Sequence, residues 1–172
     1  MKQIKVNSKK FVKEKLVTGF LNKLMGLSGK KSDEKKEEIR NIFNSKVKDG
    51  DSYAVIAAMN MVTTKKLLKE IRTYYNYIIG YHDGEDPEIV IISTDSELSS
   101  FEEPIYCKKS QCKNISYLSQ TGSFTMSHYE LGEGLFNFFI IASTAWGGYV
   151  IDVSYVDEFV PFMEFFQNQF SK

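Results

Sequence analysis

Apolar residues recur every three to four positions over residues 9–27. At about 100° per residue, Val12, Leu16, Phe20, Leu24 and Leu27 share one stripe, flanked by Val17 and Leu21. The spacing predicts an amphipathic helix, and Gly26 with Leu27-Ser28-Gly29 supplies its stop, because glycine readily takes the positive φ of a helix C-terminus. A second helix is predicted from about Ser32. Ser32 suits the N-cap, Asp33 and Glu34 suit the positive end of the helix dipole, and Ile39, Ile42, Phe43 and Val47 repeat at helical spacing. Residues 1–48 therefore read as a helical hairpin.

Beyond Lys48-Asp49-Gly50-Asp51 the period changes. Tyr53 to Val62 (YAVIAAMNMV) fits a buried strand or a third helix, and is read as a strand; TTKKLLKEIR, residues 63–72, reads as one or two helical turns leading to the next strand. YYNYIIGYH and EIVIISTD form a predicted β-hairpin around the turn-forming residues Asp83-Gly84-Glu85-Asp86-Pro87. Short strands follow at Ile105 to Lys108, Lys113 to Leu118 and Ser123 to His128. LFNFFIIAST and GYVIDVSY then read as a hairpin around Ala145-Trp146-Gly147-Gly148, since VIDVSY alternates apolar and polar residues. The chain closes on an amphipathic helix with Phe159, Phe162, Met163, Phe166 and Phe170 on one face and Pro161 in its first turn. Strands segregated from helices make the class α+β: a helical hairpin, then a strongly bent antiparallel sheet or partly open barrel of seven or eight strands, closed by the C-terminal helix.

Composition adds a charge division. The formal net charge is zero, yet residues 1–48 hold 14 Lys or Arg against five Asp or Glu, and residues 49–172 hold eight against 17. The expected organisation is a basic helical extension, 1–48, and an acidic β domain, 49–172. Such a split signals either a basic arm for an anionic partner or intramolecular neutralisation, and the second is preferred. No apolar run approaches the roughly 20 residues of a membrane-spanning helix, and the opening MKQIKVNSKK has no small-residue cleavage site. The two cysteines agree with a reducing compartment, so a cytoplasmic protein is expected.

The run EIVIISTDSEL, IYCKKSQCKNISYL, GSFTMSH, LFNFFIIAST, GYVIDVS and DEFVPFMEFF resembles bacterial pleckstrin-homology-like and GRAM-like domains in element order, with residues 53–86 supplying the first strands. The resemblance spans about residues 53–170. It implies a bent, seven-stranded antiparallel sheet with a helix plugging one end, and a role in binding or assembly. Better-known members bind phosphoinositides through basic residues in the loop between the first strands. With His82-Asp83-Gly84-Glu85-Asp86 taken as that loop, it is acidic here, which argues against phosphoinositide binding there.

Candidate chemistry is sparse. Cys107 and Cys112 are separated by four residues, which is not the short knuckle of structural zinc sites, and a zinc ion would need every Cys and His in the chain. His82 sits in a turn sequence, and Ser127-His128 adjacency does not make a triad, which needs geometry across the fold. No Walker, dinucleotide-binding, nucleophile-elbow or zinc-protease motif occurs. Arginine occurs only at Arg40 and Arg72, and the acidic remainder repels phosphate, so no nucleic-acid role is expected. The expectation is a non-enzymatic module, without catalytic residue, metal or cofactor, that binds a protein. An anionic membrane met by the basic helix 9–27, through Lys10, Lys15, Phe20, Lys23 and Leu24, is the alternative, as is a second copy of the chain. An enzyme using His82 or His128 comes third.

Overall fold

The computed structural model describes residues 31–67, 69–142 and 148–171. The first helix of the expected hairpin, and with it Lys10, Lys15, Phe20, Lys23 and Leu24, lies outside the described residues. Among the described residues one α-helix, α1 (residues 31–46), precedes the sheet. Its apolar positions follow the expected spacing: Ile39, Phe43 and Val47 are buried, and Ile42 is half-buried. Ser32 does not cap α1, because residue 31 is already helical. Its hydroxyl accepts instead from the Ser154 N–H (2.9 Å), which ties α1 to the segment before the last helix. Lys36 reinforces that tie, with Nζ 2.6 Å from Glu158 Oε1.

Seven antiparallel strands follow: β1 (Ala54–Lys66), β2 (Lys69–His82), β3 (Glu88–Thr94), β4 (Ile105–Lys108), β5 (Lys113–Leu118), β6 (Ser123–Ser127) and β7 (Phe136–Ile140). Their order is β4-β3-β2-β1-β7-β6-β5, a sheet bent into a half barrel. The two edge strands, β4 and β5, are consecutive in the chain, joined by the 3₁₀ turn Lys109–Gln111. β1 is the hinge of the sheet: it pairs with β2 along its whole length and with β7 at Ala58 and Met59 alone. The inner face carries Ile56, Ile79, Ile89, Ile91, Phe124 and Phe138, all buried.

The open side is filled by α2 (Phe159–Phe165), which widens into a π turn at Phe166–Phe170. The wider turn brings Phe165 and Phe170, five residues apart, onto the buried side with Phe162 and Phe166. Phe124 lies at the centre of this aromatic plug, with ring centroids 4.9 Å from Phe162 and 5.1 Å from Phe166; Tyr81 meets Phe162 at 5.1 Å. Aromatic pairs at these separations add roughly 0.5–1.5 kcal/mol each beyond area burial.

Two expectations are corrected. Residues 63–66 and 69–72 are not helical: they are the ends of β1 and β2, paired residue for residue from Thr63↔Arg72 to Lys66↔Lys69. The GYVIDVSY segment is not a strand. Val150, Ile151, Val153 and Tyr155 are buried, which accounts for the alternation, but Ile151 N–H donates to the Asn76 side chain and Tyr155 N–H to the Ile141 carbonyl, so no ladder forms.

Candidate functional site

The β1–β2 hairpin outruns its neighbours. Pairing with β7 stops at Met59, and pairing with β3 begins at Asn76. Residues 60–66 and 69–75 therefore project as a two-stranded arm whose outer edges pair with no other strand among the described residues. Six registered pairs beyond Asn60↔Tyr75 carry it roughly 20 Å at about 3.4 Å per residue. Alternation is maintained along it, so Met61, Thr63 and Lys65 share one face with Tyr74, Arg72 and Glu70, and Val62 and Thr64 share the other with Thr73 and Ile71.

Both faces are wet and both are partly apolar. Met61, Val62, Ile71 and Tyr75 are 37–46% exposed, and Leu67 at the tip is fully exposed. Cations flank the tip: Lys65, Lys69 and Arg72 against Glu70, which takes the Arg72 guanidinium at 2.9 Å. The guanidinium, held by that carboxylate, is pushed further above its usual range. This basic turn is the loop between the first two strands. His82 to Asp86, taken above as that loop, joins β2 to β3, so its acidity has no bearing on what the first loop contacts.

The arm is anchored at its base. Asn76 is 4% exposed; its Nδ2 donates to the Tyr149 carbonyl (3.1 Å) and its Oδ1 accepts from Ile151 N–H (3.1 Å). Tyr149 also stacks on Tyr74, centroids 5.4 Å apart. The irregular segment 148–155 thus braces the point where the arm leaves the sheet. Beside it an open hollow of about 530 Å³ lies between Tyr75, Tyr77, Ser93 and Phe101. Tyr77, buried there, has its hydroxyl pushed up to about 12, first by desolvation.

The sequence candidates for chemistry are dispersed. His82 is exposed and packs on Tyr53, centroids 5.6 Å apart. His128 is 3% exposed, and its Nδ1 accepts from Glu130 N–H (3.3 Å), a local turn contact. Cys107 is buried and Cys112 half-buried, on either side of the Lys109–Gln111 turn. The neighbouring Cys112 thiol, with burial, pushes the Cys107 thiol up, and the same pair pulls Cys112 down. Among the described residues no group of three or more His, Cys, Asp or Glu is arranged to hold a metal ion.

The arm was hidden in the sequence by KKLLKE, whose Lys, Leu and Glu favour helix. The signals that could have found it are Thr63-Thr64 and the alternation of Ile71-Arg72-Thr73-Tyr74. No protein-family model, curated protein or solved structure matches the chain.

Proposed function

We propose that the protein is a non-enzymatic docking module that engages a protein partner through the β1–β2 arm. The observation that carries this reading is the projection of residues 60–66 and 69–75 beyond the sheet with Met61, Val62, Leu67, Ile71 and Tyr75 exposed. An isolated two-stranded hairpin is at best marginally stable in water, and contiguous exposed apolar surface marks contact sites. A partner strand added to either outer edge, with apolar side chains covered on both faces, would meet both demands. The bent seven-stranded sheet plugged by one helix supports the pleckstrin-homology-like reading, which itself implies binding.

The test is site-specific photocrosslinking in the native cell, with a benzophenone amino acid at Val62 or Ile71 and, as control, at Leu118 on the far edge strand. A discrete protein adduct from the arm positions and none from Leu118 is expected. Identical adducts from all three would defeat the reading.

One observation favours a second reading, an anionic membrane surface. Leu67 is fully exposed at the apex, with Lys65 and Lys69 to either side. Each Lys near an anionic bilayer contributes about 1 kcal/mol, and a leucine at the apex can enter the headgroup boundary. Co-sedimentation with phosphatidylcholine vesicles, with and without phosphatidylglycerol, decides it: binding that requires the anionic lipid and is lost in Leu67→Asp supports the membrane over the protein partner.

A further inference from the structure

Among the described residues the outer edge of β2 is open to a further strand from Lys69 to Tyr75, because pairing with β3 begins at Asn76. Alternation divides these residues by face: Lys69, Ile71, Thr73 and Tyr75 share one, and Glu70, Arg72 and Tyr74 share the other. Ile71 thus stands between an acidic and a basic neighbour on the opposite face, Glu70 and Arg72. Such a strand is self-complementary about Ile71. Turned end for end, it presents Arg72 where Glu70 stood.

Symmetry and sterics fix the register of such a pairing. A two-fold axis that sets two copies of one strand antiparallel in one sheet is perpendicular to that sheet, so opposed residues lie on the same face and one residue sits on the axis. With Arg72 there, each guanidinium would oppose its own copy, and the turn at Leu67 would run into β3 where Ser93 pairs with Tyr77. With Ile71 there, the turn stops beside Tyr75, short of β3. Glu70 then opposes the partner's Arg72, Ile71 meets its own copy, and Leu67 arrives opposite the partner's Tyr75. The end of the edge suits that arrival. The hollow of about 530 Å³ beside Tyr75 is lined by Tyr77 and Phe101 and by the acidic residues Asp95 and Glu102. Leu67, fully exposed at the apex, supplies the apolar contact, and Lys65 and Lys69 supply the opposite charge. The two basic tips lie about 27 Å apart and do not oppose each other.

We propose that the arm's partner is a second copy of the same chain, joined edge to edge along β2 about a two-fold axis at Ile71. The proposal rests on the docking-arm reading above and names its occupant. Two arms, each marginal as a lone hairpin, then form one four-stranded ladder with the two β2 strands at its centre.

The test is sedimentation velocity of the full chain over about 1–100 μM, where a contact of this size should associate. A concentration-dependent dimer is expected. Glu70→Arg and Arg72→Glu, each alone, should weaken it at least about tenfold, because either reversal sets like charges opposite each other twice. Their equimolar mixture should dimerise again: one variant then offers two cations to the other's two anions, while the ion pair within each strand stays broken. A chain that remains monomeric, a dimer indifferent to both reversals, or a mixture without rescue would overturn the proposal. A benzophenone amino acid at Ile71 in the full chain separates that failure from failure of the docking arm. An adduct of two copies is the expected result. An adduct with a different protein removes the second copy and leaves the arm its role; an adduct within one chain, or none, removes both.

Discussion

The Phe43 ring lies so close over the Gly80 backbone that a Cβ built on Gly80 would fall 2.0 Å from Phe43 Cζ. No side chain fits there, so the glycine near the C-terminal end of β2 is the site where α1 docks on the sheet. Gly80→Ala should cost about 1–3 kcal/mol in a urea melt through overpacking, and Phe43→Ala about 3–5 kcal/mol through the cavity it leaves. The two changes relieve each other, so the double variant should lose less than their sum. Additive losses would mean that the ring and the glycine do not meet.

The brace at the root of the arm has its own signature. Asn76→Ala strands the buried Ile151 N–H and Tyr149 carbonyl, each of which loses a 3.1 Å partner. The expected loss is about 1–3 kcal/mol. Hydrogen exchange should accelerate at Ile151 and along residues 73–77 while the amides of β5 and β6 keep their rates.

The two thiols should differ in reactivity. Cys112 is half-buried and its thiol is pulled down by its neighbour, whereas Cys107 is buried and its thiol is pushed up. Brief iodoacetamide treatment of the folded protein, followed by peptide mass spectrometry, should alkylate Cys112 first and Cys107 only on unfolding. Equal labelling would place the thiols apart.

Stability should respond at both ends of the pH scale. The Tyr77 hydroxyl is raised by burial from 10.0 to about 12, so its contribution is complete below pH 10 and is lost as pH rises through the interval to about 12. Asp95 is shifted the other way: the Ser100 and Ser99 hydroxyls hold its carboxyl below the ordinary 3.8, so the order it gives to loop 95–101 is complete above that value and is lost as pH falls further. A Tyr77→Phe variant should flatten the alkaline limb of a denaturation-against-pH profile. In Asp95→Asn the amide shifts of Glu97 and Ser99 should no longer respond to acid.

Where residue pattern and tertiary demand agree, the fold was legible. EIVIISTD became β3 because a continuous β-branched run buried on both sides has few alternatives, and the Phe-rich C-terminus became the plug because its spacing leaves one apolar face. Where they disagree, the reading went astray. KKLLKE favours helix by propensity, yet its partners across the hairpin, from Thr63 to Lys66, impose extended pairing. VIDVSY alternates as a strand should, but its Ile151 N–H is taken by the Asn76 side chain, a contact 75 residues away that no local pattern carries. The candidate contact residues Lys10, Lys15, Phe20, Lys23 and Leu24 lie outside the described residues, and the exposed arm came to light through its register alone.

The most direct measurement of the docking arm is a comparison of partners captured from native extract by the intact protein and by a shortened form. In the shortened form Val62 is joined to Thr73, its partner in register, by an Asn-Gly turn. Because the removed residues lie beyond the sheet, thermal stability should change by less than about 1 kcal/mol. A protein that is retained by the intact chain, crosslinks at Val62 or Ile71, and is lost from the shortened form is the expected result. A shortened form that keeps the same partner with the same affinity would contradict the arm as the docking element.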